Sequence, residues 1–152
     1  PIIDECVLRA SGKVVDPRLI PTLMHLRLQH FERMKHAAGC LETADKWEAL
    51  KRTDAASLYK SASFRAACAA VIREMDKTPA GEAKAKEQAD QAMAWLRQAV
   101  AAGYGDAAQI EKDSDLDALR DRDDFKTLLL ELQSQIEKTK TTSPSTATST
   151  TP

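Results

Sequence analysis

At 152 residues the chain is long enough for one domain with a buried core. Its charged residues, 30% of the total, nearly balance to a formal net of −1, without the basic excess of a nucleic-acid or membrane-surface binder. Five glycines are few for a phosphate-cradling or all-β protein, and no apolar run approaches the length that spans a bilayer.

The three cysteines, Cys6, Cys40 and Cys68, contain no C-x-x-C pair, which points to a reduced, intracellular setting. No signal peptide is recognisable, and Pro1 in place of Met suggests a fragment. Residues 1–16 read as a short helix or the remnant of a truncated element, with Ile2, Ile3, Val7 and Leu8 apolar before the break at Ser11-Gly12. Asp16-Pro17 is a helix start, with Asp as cap and Pro at the first helical position.

A first helix is expected from about Leu19 to Ala38, with Ile20, Leu23, Met24, Leu28, Phe31, Met34 and Ala38 on its core face and Gly39 ending it. A second follows from about Leu41 to Arg52, with Ala44, Trp47 and Leu50–Lys51 facing inward. So short a link favours an antiparallel pair. Thr53-Asp54 caps a third helix, about Ala55 to Met75, which is apolar on two faces. Leu58, Ala62, Ala66, Ala69 and Ile72 form one; Phe64, Cys68, Val71 and Met75 form the other. Such a helix is covered by neighbours on both sides.

After the break at Asp76–Pro79, a helix over Glu82–Gly103 carries a seam of small residues. Ala85, Ala89, Ala92, Leu96, Ala99 and Gly103 share a face along which another backbone can approach closely. Met93 and Val100 widen the stripe, and Gly103 supplies the left-handed residue that ends a helix. Asp106–Lys112 reads as a short helix, Asp115 as the cap of a further turn, and Asp123-Asp124 as the start of a last helix. The core residues of that helix are Phe125, Leu128, Leu129, Leu132 and Ile136. From Thr139 onward, ten of fourteen residues are Ser or Thr, a composition that cannot bury apolar surface and reads as a disordered tail.

Two chemical readings compete with a purely structural one. Asp113, Asp115, Asp117, Asp121 and Asp124 fall at the oxygen positions of an EF-hand loop. Ala118 stands where that loop needs Gly, and Leu116 and Leu119 keep helical spacing, so capping and a solvated acidic patch are the better reading. His25, His30 and His36 could join these carboxylates in a small metal-binding or enzymatic bundle. That arrangement requires them to converge in one pocket, whereas a helical repeat scatters the histidines far from the acidic turn. His36 and Cys40, four apart, lack a second pair to complete a tetrahedral zinc site, so no catalytic or metal residues are assigned.

Helix after helix with short links suggests a helical repeat. Ala92-x3-Leu96-x2-Ala99 has the pattern of the second helix of a tetratricopeptide unit, and Tyr59-x2-Ala62-Ser63-x2-Ala66 resembles that of the first. The pair around 55–103 thus looks like an elongated, divergent unit of that kind.

A wider resemblance covers roughly residues 19–133. It is carried by WEALKRTDAASLYKSASFRAACAAVIREMDKTP and by ADQAMAWLRQAVAAGYGDAAQIEKDSDLDALRDRDDFKTLL. Within these stand Ala99–Tyr104, the acidic run Asp113–Arg120 and the start of the last helix, Asp124–Leu129. The chain resembles the C-terminal, tetratricopeptide-like helical region of planctomycete bacterial serine/threonine protein kinases.

The resemblance implies an all-α fold of about six helices, in antiparallel pairs forming a right-handed superhelical stack over residues 17–138. It also implies a cytoplasmic location and a parent whose ATP-dependent kinase domain lies elsewhere. No Gly-rich loop, strand lysine, H-R-D or D-F-G motif occurs here, so the segment is expected to be non-catalytic and without a cofactor. In such an array the first helix of each pair lines a concave groove, which places Ser57, Lys60, Ser61 and Phe64 there. The expected partner is a protein or peptide, or the parent's own kinase domain, rather than nucleic acid or membrane. The competing reading from outside catalysis is a plain structural spacer.

Overall fold

The computed structural model describes residues 17–141; the readings made above for residues 1–16 and for 142–152 lie outside them. Every regular element among the described residues is helical. A 3₁₀ turn, Pro17–Leu19, leads into α1 (Ile20–Arg33). Next come α2 (Ala37–Glu48), α3 (Ala55–Met75), α4 (Pro79–Ala101) and α5 (Ala107–Lys112). A 3₁₀ segment, Ser114–Leu119, hereafter the acidic turn, precedes α6 (Asp123–Thr141). The last helix therefore runs three residues into the Ser/Thr-rich stretch expected to be a tail from Thr139.

Capping places most boundaries. Asp54 accepts from the Ser57 N–H, Thr78 from that of Gly81 and Asp106 from that of Gln109, each meeting a donor that a helix start leaves unpaired. α4 thus begins at Pro79, three residues before the expected Glu82, because Pro is favoured in a first turn.

The boundary between α1 and α2 differs from the expectation. Lys35, at φ 51°, ends α1 in the left-handed region, with the Lys35 and His36 N–H groups bonded back to Glu32 and Phe31. His36 then caps α2, its Nδ1 accepting from the Gly39 N–H at 2.9 Å. Gly39 sits inside α2 and ends nothing; a Cβ there would run into the Phe31 ring. Gly103 does adopt the expected positive φ, 100°, but lies exposed beyond α4 and takes no part in the buried seam.

Two apolar clusters meet on opposite sides of α3, as its two-faced pattern predicts. One side joins Phe64, Ala67, Cys68 and Val71 to Met24 and Leu28 of α1 and to Cys40, Ala44 and Trp47 of α2. The other joins Leu58, Ala62, Ala66 and Ala69 to Ala89, Ala92, Leu96 and Ala99 of α4, and through them to Ile110, Leu116, Leu119, Phe125 and Leu128. The α3–α4 interface is the most extensive in the molecule, and small residues on both helices allow that approach. Met34, Leu50 and Met75 were expected inward but are exposed, because each lies at or past a helix end where the neighbouring helix no longer reaches.

Two arginines are built into these interfaces. Arg65, 6% exposed, donates to Glu48 of α2 at 2.7 Å and to Gln88 of α4 at 2.9 Å, and pairs with Asp45 at the rim. Glu48 also accepts from the Trp95 indole at 2.9 Å, so one carboxylate ties together α2, α3 and α4. Arg27, 1% exposed, bonds Thr43 and Glu42 of α2 and lies 4.8 Å over the Phe31 ring.

Candidate binding cleft

α1 and the acidic turn both pack against α3. Tyr59 fixes the turn to that helix. Its ring stacks on Tyr104 at 4.2 Å, and its hydroxyl donates to Asp113 Oδ2 at 2.5 Å. The other Asp113 oxygen accepts from the Asp115 N–H at 3.0 Å, while Arg120 donates to the Asp113 carbonyl at 3.1 Å. With the start of the turn held in this way, Ser114 and Asp115 form one wall of a cleft of about 380 Å³. Gln29, Glu32 and Arg33 of α1, with Lys35 just beyond its end, form the other.

The electrostatics of the cleft are those of charges partly removed from water. Burial raises the Glu32 carboxyl above its ordinary range, Asp115 raises it further, and Lys35 opposes. Burial likewise raises Asp115, helped by Asp113 and opposed by His25 and Lys60. Burial lowers the Lys60 ammonium, against the pull of Asp115 and Asp113. Lys60 Nζ lies 5.5 Å from the Phe64 ring centroid. His25 and Gln29 are 3.0 Å apart through Nε2 and Nε2, and His25 Nδ1 is buried without a hydrogen-bond partner. Lys35, besides lining the cleft, pairs with Glu74 at 2.5 Å.

Of the four residues expected in a groove, only Lys60 is partly exposed. Phe64 has no exposed surface, packs on Trp47 at 5.8 Å and belongs to the core; Ser57 and Ser61 are buried. The correction has one cause: α3 is covered on both sides, so little of its surface is left to line a groove. Nor do the histidines all stand clear of the acidic turn, as the repeat reading required, since His25 lies within electrostatic reach of Asp115. His30 instead packs edge-on against Phe31, and His36 is a helix cap, so the three do not converge.

The EF-hand-like spacing is occupied by local contacts. Asp117 pairs with Arg120, and Asp124 pairs with Arg122, which reaches on to Asp90 of α4. Among the described residues no group of three or more His, Cys, Asp or Glu side chains is placed to hold a metal. Gln29 and Glu32 were missed as site residues, although their spacing from His25 put all three on one helical face. Nothing in the sequence signals that this face opposes a turn some eighty residues further on.

No protein family, curated protein or solved structure matches the chain. Among the described residues no helix is long and apolar enough to cross a membrane.

Proposed function

We propose that the chain is a non-catalytic protein-interaction module of tetratricopeptide-like helix pairs, akin to the C-terminal region of a bacterial serine/threonine kinase. Its binding surface is the polar cleft between the C-terminal end of α1 and the acidic turn. The observation that carries this reading is the cleft itself: a half-buried carboxylate on each of its two walls, Glu32 and Asp115, with the half-buried Lys60 of α3 within electrostatic reach of Asp115. Such an arrangement suits recognition of an extended polar peptide, in which position and charge select the partner. The short links and the two-sided packing of α3 support the helical-pair reading.

Selection of a displayed random-peptide library on the whole chain tests it. Peptides should be enriched on the wild type, and Glu32→Lys or Asp115→Lys should weaken them on the order of tenfold or more. No enrichment, or equal binding by the charge-reversed variants, overturns the cleft as a binding surface and favours the structural spacer.

A further inference from the structure

We infer that the outer side of α1 is a docking surface for the chain's own N-terminal segment, residues 1–10 folding back as a helix against Leu19, Leu23 and Leu26. This surface lies on the first half of α1, away from the cleft, and does not depend on what binds there.

α1 is an edge helix of the described fold. Its inner side carries Met24 and Leu28, buried in the core shared with α2 and α3, and Arg27, bonded to Thr43 and Glu42. Round the helix from these, Leu19, Leu23 and Leu26 follow one another at steps of four and three and form one stripe. Leu19 precedes α1 but has helical backbone angles, so the stripe is unbroken. Leu19 is 51% exposed and Leu26 49%, with Leu23 half-buried between them. Three leucines in one row are a patch that asks for a cover, unlike single apolar residues scattered over a surface. At the other end of the described chain α6 meets solvent through Lys126, Thr127, Glu131, Gln133 and Ser134, interrupted by Leu130. That is the polar outer face a stack of helices needs at its ends, and α1 lacks it.

Spacing, length and tether identify the occupant. Ile3, Val7 and Ala10 repeat the steps of four and three, so on a helix they share one face. Ile3 to Ala10 and Leu19 to Leu26 are the same number of residues apart, about 10 Å of helix each. Ser11–Asp16, which joins the two, has the length of an ordinary link between antiparallel helices, and Gly12 opens it to a tight reversal. Because the segment enters at Pro17, an antiparallel return sets Ala10 beside Leu19, Val7 beside Leu23 and Ile3 beside Leu26. Asp4, Glu5 and Arg9 then fall on the far side with Leu8, which gives the edge of the fold a charged face.

A nitroxide at Glu5→Cys, on that far side, tests the docking in the whole chain with Cys6→Ser. Cys40 and Cys68 are fully buried and take no label. The amide signals of Leu23 and Leu26 should lose most of their intensity and recover when the nitroxide is reduced, while those of Glu131 and Gln133 on α6 stay unchanged. Ile3→Asp with Val7→Asp removes the apolar face of the segment, and Leu26→Glu alters an exposed position outside the core; each change should restore the Leu23 signal. Full intensity at Leu23 and Leu26 in the labelled chain overturns the inference, as does a loss that survives either change. A mixture of isotope-enriched unlabelled chain with spin-labelled chain of natural abundance tests for a second copy. Loss of the Leu23 and Leu26 signals in that mixture would assign the stripe to another molecule and overturn the inference; undiminished signals support docking within one chain.

Discussion

Arg65 shows how a charge can belong to a core. Its guanidinium fork is almost wholly buried and meets Glu48, Asp45 and Gln88 from the two helices flanking α3. Arg65→Ala should cost about 3 kcal/mol in chemical denaturation, because it strands the buried Gln88 and leaves the Glu48 carboxylate only its bond from the Trp95 indole. Asp45→Ala removes only a solvent-screened rim contact and should cost below about 1 kcal/mol.

The cleft carboxyls work in the opposite sense. Glu32 and Asp115 are raised in the fold, so the stability they supply is fully present below the ordinary carboxylate range. It is lost as pH rises through their raised values. Glu32→Gln or Asp115→Asn should therefore raise Tm at about pH 7 by roughly 2–4 °C, and the gain should vanish near pH 4, as calorimetry across pH would record.

The buried thiols form a third group at this scale. Burial pushes Cys40 up to about 12 and raises Cys68 as well. In the Cys6→Ser chain a chromogenic disulfide reagent at about pH 8 should find no reactive thiol in the folded protein and two after denaturation.

For whole elements the decisive quantity is how closely backbones approach. A Cβ on Gly81 would meet the Asp76 carbonyl oxygen, which is backbone and cannot swing aside. Gly103 has open space around it and only its positive φ to protect. Gly81→Ala should thus cost about 1–3 kcal/mol by steric conflict, and Gly103→Ala about 1 kcal/mol by backbone strain. Thermal denaturation of both variants separates the two effects. The α4 seam follows the first rule: Ala92 has no exposed surface where α4 meets α3, so Ala92→Leu should destabilise by about 1–3 kcal/mol. The seam, the two faces of α3 and the cap at Asp54 were all legible, since spacing and capping chemistry act over three or four residues. The α1–α2 junction was not, because the left-handed role fell to Lys35 while the expected terminator, Gly39, was needed for contact with Phe31.

Across the whole molecule, α3 is the shared wall of two cores, so cooperativity should centre on it. Native-state hydrogen exchange should find the slowest amides in α3 and α4, which share the largest interface, and faster exchange in α1, which leans chiefly on α2. The reverse order would mean that the two cores are not coupled through α3. This arrangement also decided what became of the expected groove. Ser57, Ser61 and Phe64 have the right spacing for a common face, yet coverage of α3 from both sides consumes it. The surface that stays open is assembled instead from α1 and a turn near the other end of the described chain.

The sequence by itself determined that the described part of the chain is all-α, where most of its helices start, and that α3 is sandwiched. Those properties depend on helical period and local capping, which a few neighbouring residues specify. Only the tertiary structure decided that Arg65 and Arg27 are interior, that Lys60 alone of the expected groove residues keeps an exposed surface, and that Glu32 faces Asp115. Each depends on which helix face meets which partner across tens of residues, and the period of one helix says nothing about what packs against it.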